Sequence, residues 1–201
     1  MAWRKPLVFG VNGGLSQIPP ADYLAAQAWI PLATATASGA SSVDFVLTSW
    51  TNSDFFAYRI VFAHVIVSVD GAAVWIRTST DGGSTYDSGA SDYQWAFLYV
   101  LATPTNGGLG STANSAIVIN NAQGNAANEE MGGVIDFYEP SAAKFFMATY
   151  DILMRNTGGT LGRFAGSGQR ITAADVDAVR ILPSSGTMSG EFRLYGLKNA
   201  V

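Results

Sequence analysis

The chain has 201 residues, no Cys, one His and only 13% charged residues. Without thiols it holds no disulfide, Cys-ligated zinc or iron–sulfur cluster, and the single histidine, His64, excludes a multi-histidine metal centre. Eleven Lys and Arg against fifteen Asp and Glu give a net charge of −4, which argues against a dedicated nucleic-acid binder, while 48% hydrophobic and 12% aromatic residues argue against disorder.

Residues 1–40 differ from the rest and read as an N-terminal arm and linker. Arg4 and Lys5 are followed by Pro6-Leu7-Val8-Phe9, and Gly10, Gly13 and Gly14 then interrupt any signal-peptide run. Pro19-Pro20 precedes a stretch from Ala21 to Trp29 that suits a short helix, and Ala33 to Ser42 is small and polar, as expected of a linker. Trp3, Leu7, Phe9, Leu15, Ile18, Tyr23 and Trp29 are too apolar for a free tail. They predict an assembly arm, packed either on its own domain or on a neighbouring subunit.

From residue 41 to 201 the pattern is that of an antiparallel β-sandwich. Phe55 to Val69 is aromatic and β-branched, Asp70-Gly71 supplies a turn, and Val74 to Ser79 follows, which predicts a hairpin. Further strands are expected at Tyr93 to Leu101, Ala116 to Asn120, Val134 to Tyr138 and Lys144 to Met154, with a weak one at Leu161 to Phe164. Ala178 to Leu182, a Pro183-Ser184-Ser185-Gly186 turn and Glu191 to Leu197 close the chain. In the last strand Phe192 and Leu194 share one face and Glu191 and Arg193 the other. Lys144 to Arg155 is apolar on both faces, which predicts a strand covered on both sides. The longest apolar run, Ile60 to Val69, contains His64 and Ser68 and is too short for a membrane-spanning helix, so no membrane insertion is expected and the chain reads as a product of the cytoplasm.

No motif for catalysis emerges. His64 lies mid-strand with no nucleophile motif nearby and reads as structural, facing solvent or a subunit contact. Gly107-Gly108-Leu109-Gly110 lacks the Lys of a phosphate loop and reads as surface loop. Glu129-Glu130 reads as solvated charge. Asp81 and Asp87 flank a Gly-rich loop that could hold calcium, though an Asp-Gly turn explains it more simply. No catalytic, cofactor or metal residue is assigned, and the carboxylate pair of a polysaccharide-degrading enzyme has no recognisable spacing here. Trp50, Tyr86 and Trp95 are candidate glycan contacts, with core or interface packing as the plainer account of a tryptophan.

Two stretches carry a resemblance: Ser49-Trp50-Thr51-Asn52 through Ile76-Arg77-Thr78-Ser79-Thr80-Asp81-Gly82-Gly83-Ser84-Thr85-Tyr86-Asp87-Ser88-Gly89-Ala90-Ser91-Asp92-Tyr93, and Val179-Arg180-Ile181-Leu182-Pro183-Ser184-Ser185-Gly186 with Gly190-Glu191-Phe192-Arg193-Leu194-Tyr195-Gly196-Leu197. They resemble the jelly-roll β-sandwich of tailed-bacteriophage virion proteins, including minor tail, tail-fibre and capsid-decoration proteins. The arm, with Pro6 to Gly10 and Gly14 to Pro19, is similar to segments that precede such domains. The resemblance implies a non-enzymatic virion subunit, commonly a homotrimer, that contacts major capsid or tail proteins. Its short arm, without long repeats, favours a decoration or small tail-associated subunit. The alternative is a carbohydrate-binding module that recognises host surface glycan. Mean hydropathy of +0.19 with so few charges fits a chain covered by partners.

Overall fold

The computed structural model describes residues 7–9, 15–17, 29–47, 54–140 and 142–199. Among these residues there is no helix, and the regular structure is fourteen strands. In chain order they are β1 (Leu7–Phe9), β2 (Leu15–Gln17), β3 (Trp29–Ala40), β4 (Val43–Val46), β5 (Phe55–Val67), β6 (Val74–Ser79) and β7 (Tyr93–Leu101). There follow β8 (Asn106–Asn114), β9 (Ile117–Val118), β10 (Met131–Tyr138), β11 (Met147–Arg155), β12 (Leu161–Arg170), β13 (Ala178–Pro183) and β14 (Met188–Lys198). β1 and β2 pair only with each other. The remainder forms an antiparallel β-sandwich, an eight-stranded sheet ordered β3-β14-β5-β10-β11-β12-β7-β8 and a four-stranded sheet ordered β4-β13-β6-β9.

Alternation places the core. Ile60, Phe62, Val65 and Val67 of β5, Phe192 and Leu194 of β14, and Tyr150, Ile152 and Met154 of β11 are buried. They meet Val43 and Phe45 of β4, Val74 and Ile76 of β6, and Val179 and Ile181 of β13 in one cluster. Aromatic rings fill its wide end: Tyr58 stacks on Phe137 with centroids 5.4 Å apart, and Phe97 meets Phe164 edge-on at 5.7 Å.

Buried polar groups tie the sheets together. Asn120 Oδ1 accepts from the Val74 amide of the small sheet at 2.6 Å, and its Nδ2 donates to Gln123 Oε1. Gln123 Nε2 in turn donates to the Val65 carbonyl of the large sheet at 2.7 Å. Tyr150 reaches across to donate to the Val118 carbonyl, and Tyr93 accepts from the Thr78 amide while donating to the Asp87 carbonyl. Burial pushes the Tyr93 hydroxyl up to about 12 and raises Tyr150 as well. Each bond satisfies a group that would be costly to bury alone.

Close approach of β9 explains Gly168 of Leu161–Arg170, and crowding by neighbouring side chains of the large sheet explains Gly166. A Cβ on Gly168 would stand 2.3 Å from Ile117 Cγ2, and one on Gly166 would stand 2.7 Å from the Tyr150 hydroxyl. This strand therefore lacks the apolar alternation that marks the others. It runs ten residues where the sequence predicts a weak strand ending at Phe164.

Three other expectations are corrected. Residues 33–42 are not a linker, because 29–40 form an edge strand of the large sheet along β14. Residues 21–28 of the expected helix lie outside those described, and its last residue, Trp29, belongs to β3. β5 and β6 form no hairpin: Asp70-Gly71 carries the chain from the large sheet to the small one. The stretch containing Gly107-Gly108-Leu109-Gly110 is not loop but the edge strand β8, whose ladder to β7 needs no side chains.

Gly168→Ala should cost about 1–3 kcal/mol through overpacking against Ile117. Gly158→Ala, where a Cβ meets nothing nearer than 3.5 Å, should stay within about 0.5 kcal/mol. Denaturant titration of both variants checks this. Removal of residues 1–28 should leave the melting temperature of the sandwich within about 2 °C, whereas removal of 1–40 strips β3 from β14 and should lower it by at least about 5 °C.

Candidate functional site

The small sheet packs on one face of the large sheet, and the opposite face carries the features that ask for a function. Its side chains fall into cross-strand rows set by the register. Leu153 of β11, Arg163 of β12 and Val100 of β7 form one row, and Asp151, Ala165 and Leu98 form the next. Leu98 is 71% exposed, Val100 58%, Leu153 55% and Leu161 51%. They surround an ion pair in which Arg163 Nε and Nη2 donate to both oxygens of Asp151, holding that carboxyl below its ordinary range. The outward row of β11 is open among the described residues.

Toward the opposite ends of these strands the face forms a groove of about 840 Å³. Its floor is the register row Thr149, Ser167, Ala96 and Gly110. Beside it runs the row Met147, Gln169 and Gln94, in which the two glutamines lie directly opposite each other. Tyr138 of β10 closes one end against the exposed ring of Phe56, and Thr112 of β8 stands at the other. Of its lining residues only Trp95 is marked in the sequence, because the five strands come together through ladder pairing and not through chain order.

The candidates singled out from the sequence do not converge. Trp50 lies outside the described residues. The Trp95 ring is half-buried and stacks on Phe97 with centroids 5.4 Å apart, so its indole packs into the sandwich. Tyr86 lies on the small sheet under the Arg180 guanidinium at 3.9 Å, beside the Arg180–Asp44 pair. Burial pushes its hydroxyl up to about 12. Of the arm residues, Trp29 begins β3, where Arg59 sits over its ring at 4.7 Å while pairing with Asp136. Leu7, Phe9 and Leu15 are in the two-stranded sheet, and Trp3, Ile18 and Tyr23 lie outside the described residues.

The titratable groups have structural partners. His64 is exposed at a bulge in β5 with a φ of 54°, and Glu130 hydrogen-bonds its ring and raises its pKa. Glu129 is a correction: it is not solvated but only 9% exposed, accepting from the Ala126 amide beside Gly124. Asp81 accepts from the Thr85 amide and hydroxyl and from the Ser79 hydroxyl, and Asp87 accepts from Arg170. Both carboxylates of the suspected calcium loop therefore act as turn and ion-pair acceptors. Among the described residues no three Asp, Glu or His gather where a metal could sit.

Its hydrogen bonds hold the Asp81 carboxyl down to about 2, so it stabilises the fold above the usual aspartate pKa of about 4, and the gain is lost as pH falls toward 2. Wild type should melt above Asp81→Asn at about pH 6, and the gap should close between about pH 4 and pH 2. A gap independent of pH would contradict this origin.

No family model matches this chain, and no curated protein is similar to it.

Proposed function

We propose that the chain is a non-enzymatic structural subunit of a bacteriophage virion, a capsid-decoration or tail-associated protein that forms a homotrimer and attaches to other virion proteins. The observation that carries this reading is the outward apolar row of the large sheet. Leu98, Val100, Leu153 and Leu161 surround the Arg163–Asp151 pair as one patch, the arrangement of an interface core with an arginine at its centre. Covering such a patch gains about 25 cal/mol for each Å² of apolar surface removed from water.

The resemblance of residues from 43 onward to jelly-roll virion proteins supplies the setting, and the sandwich agrees with it. Symmetric repetition suits such a subunit, because many modest contacts add to firm attachment.

Light scattering coupled to size exclusion, at micromolar concentration, should report a trimer. Leu98→Asp should weaken association at least about tenfold while the fold's stability stays within about 0.5 kcal/mol, as at other exposed positions. A wild-type protein that is only monomeric overturns the proposal.

A further inference from the structure

We propose that the groove across β10, β11, β12, β7 and β8 binds an uncharged oligosaccharide, a function beyond the structural role above. Three observations carry it. The first is unspent hydrogen-bonding capacity. The amides of Gln94 and Gln169 and the hydroxyls of Thr112, Thr149, Ser167 and Tyr138 all line the groove, and none has a side-chain hydrogen-bond partner among the described residues. Neutral amides and hydroxyls are both donors and acceptors, which is what the hydroxyl groups of a sugar require.

The second observation is charge. No lining residue of the groove is ionisable at neutral pH. Elsewhere on the same face Arg59 pairs with Asp136, Arg163 with Asp151 and Arg193 with Glu191, while Arg155 donates to the Gly159 carbonyl beyond the far end of the strands. The groove thus offers nothing to a phosphate, a sulfated or carboxylated glycan, or a cationic peptide. From β11 to β7 its floor is the face of a paired sheet, and the edge strand β8 forms its rim.

The third is shape. Five neighbouring strands at about 4.8 Å spacing make a groove about 19 Å long, the length of a short oligosaccharide rather than of a monosaccharide. The floor is low because Ala96, Ser167 and Gly110 carry little or no side chain. Tyr138 and Phe56 present exposed rings at one end, surfaces on which the apolar C–H face of a sugar ring can lie. The Leu98 patch lies beside the groove in the next register rows, so glycan binding and self-association use different side chains.

The test is an array of neutral and acidic oligosaccharides probed with the full chain, followed by calorimetric titration of the neutral compounds that bind. Binding should be confined to neutral members. Gln94→Ala and Gln169→Ala should each weaken it about tenfold, the loss of about one good hydrogen bond, without changing the melting temperature. Ser167→Arg, a substitution at an exposed floor position, should abolish it. Leu98→Asp should leave the affinity of each site unchanged while altering oligomeric state, so failure of either proposal is seen separately. Absence of binding to every neutral member at millimolar concentration, preference for acidic glycans, or affinity indifferent to Ser167→Arg overturns the inference. So does a loss of self-association in Ser167→Arg without any glycan binding by wild type, which would make the groove an interface between copies.

Discussion

The whole molecule depends on keeping dry the space between a wide sheet and a narrow one. Eight strands face four, so each strand of the large sheet must divide its side chains into an inward and an outward row. The inward rows of β5, β10, β11 and β14 supply the apolar cluster. Polar bridges from Asn120, Gln123, Tyr93 and Tyr150 fix how the sheets face each other, since each has a buried partner on the opposite layer. At one flank the sheets come so close that β12 can carry only hydrogen at position 168, against Ile117. A one-residue slip there would place Ser167 and Gln169 against Ile117, so glycine placement also specifies register.

The few charges are used economically. Arg59 with Asp136 and Arg180 with Asp44 are register partners on adjacent strands, and Arg163 meets Asp151 on the diagonal. Such partly exposed pairs contribute little to stability. Their larger consequence is that the outward faces present few uncompensated charges. That leaves neutral and apolar groups to determine what the outer face meets, and it divides into an apolar patch and an amide-lined groove.

Much of the strand plan was legible. β6, β7, β13 and β14 stand close to where aromatic and β-branched alternation put them, because each has one face in the core. Among the strands that the sequence hides or shortens, β3, β8 and β12 are rich in Gly, Ala, Thr and Ser. Two are sheet edges and one lies under a close crossing, so in all three the ladder rather than side-chain burial defines the strand. Glu129 was read as solvated for a similar reason: the loops around Gly124 and Gly159 that enclose it are invisible from its neighbours in the chain.

The sequence by itself determined fold class, the absence of thiol chemistry and the sparse charge, because these follow from composition and from a two-residue period. Which strands meet was decided only in three dimensions. Asp70-Gly71 looks the same whether it closes a hairpin or passes between layers, since a turn does not record its partners. The groove is the extreme case. Gln94 and Gln169 are opposite each other only because β7 and β12 pair in one register, and ladder pairing is a property of distant segments that no local pattern encodes.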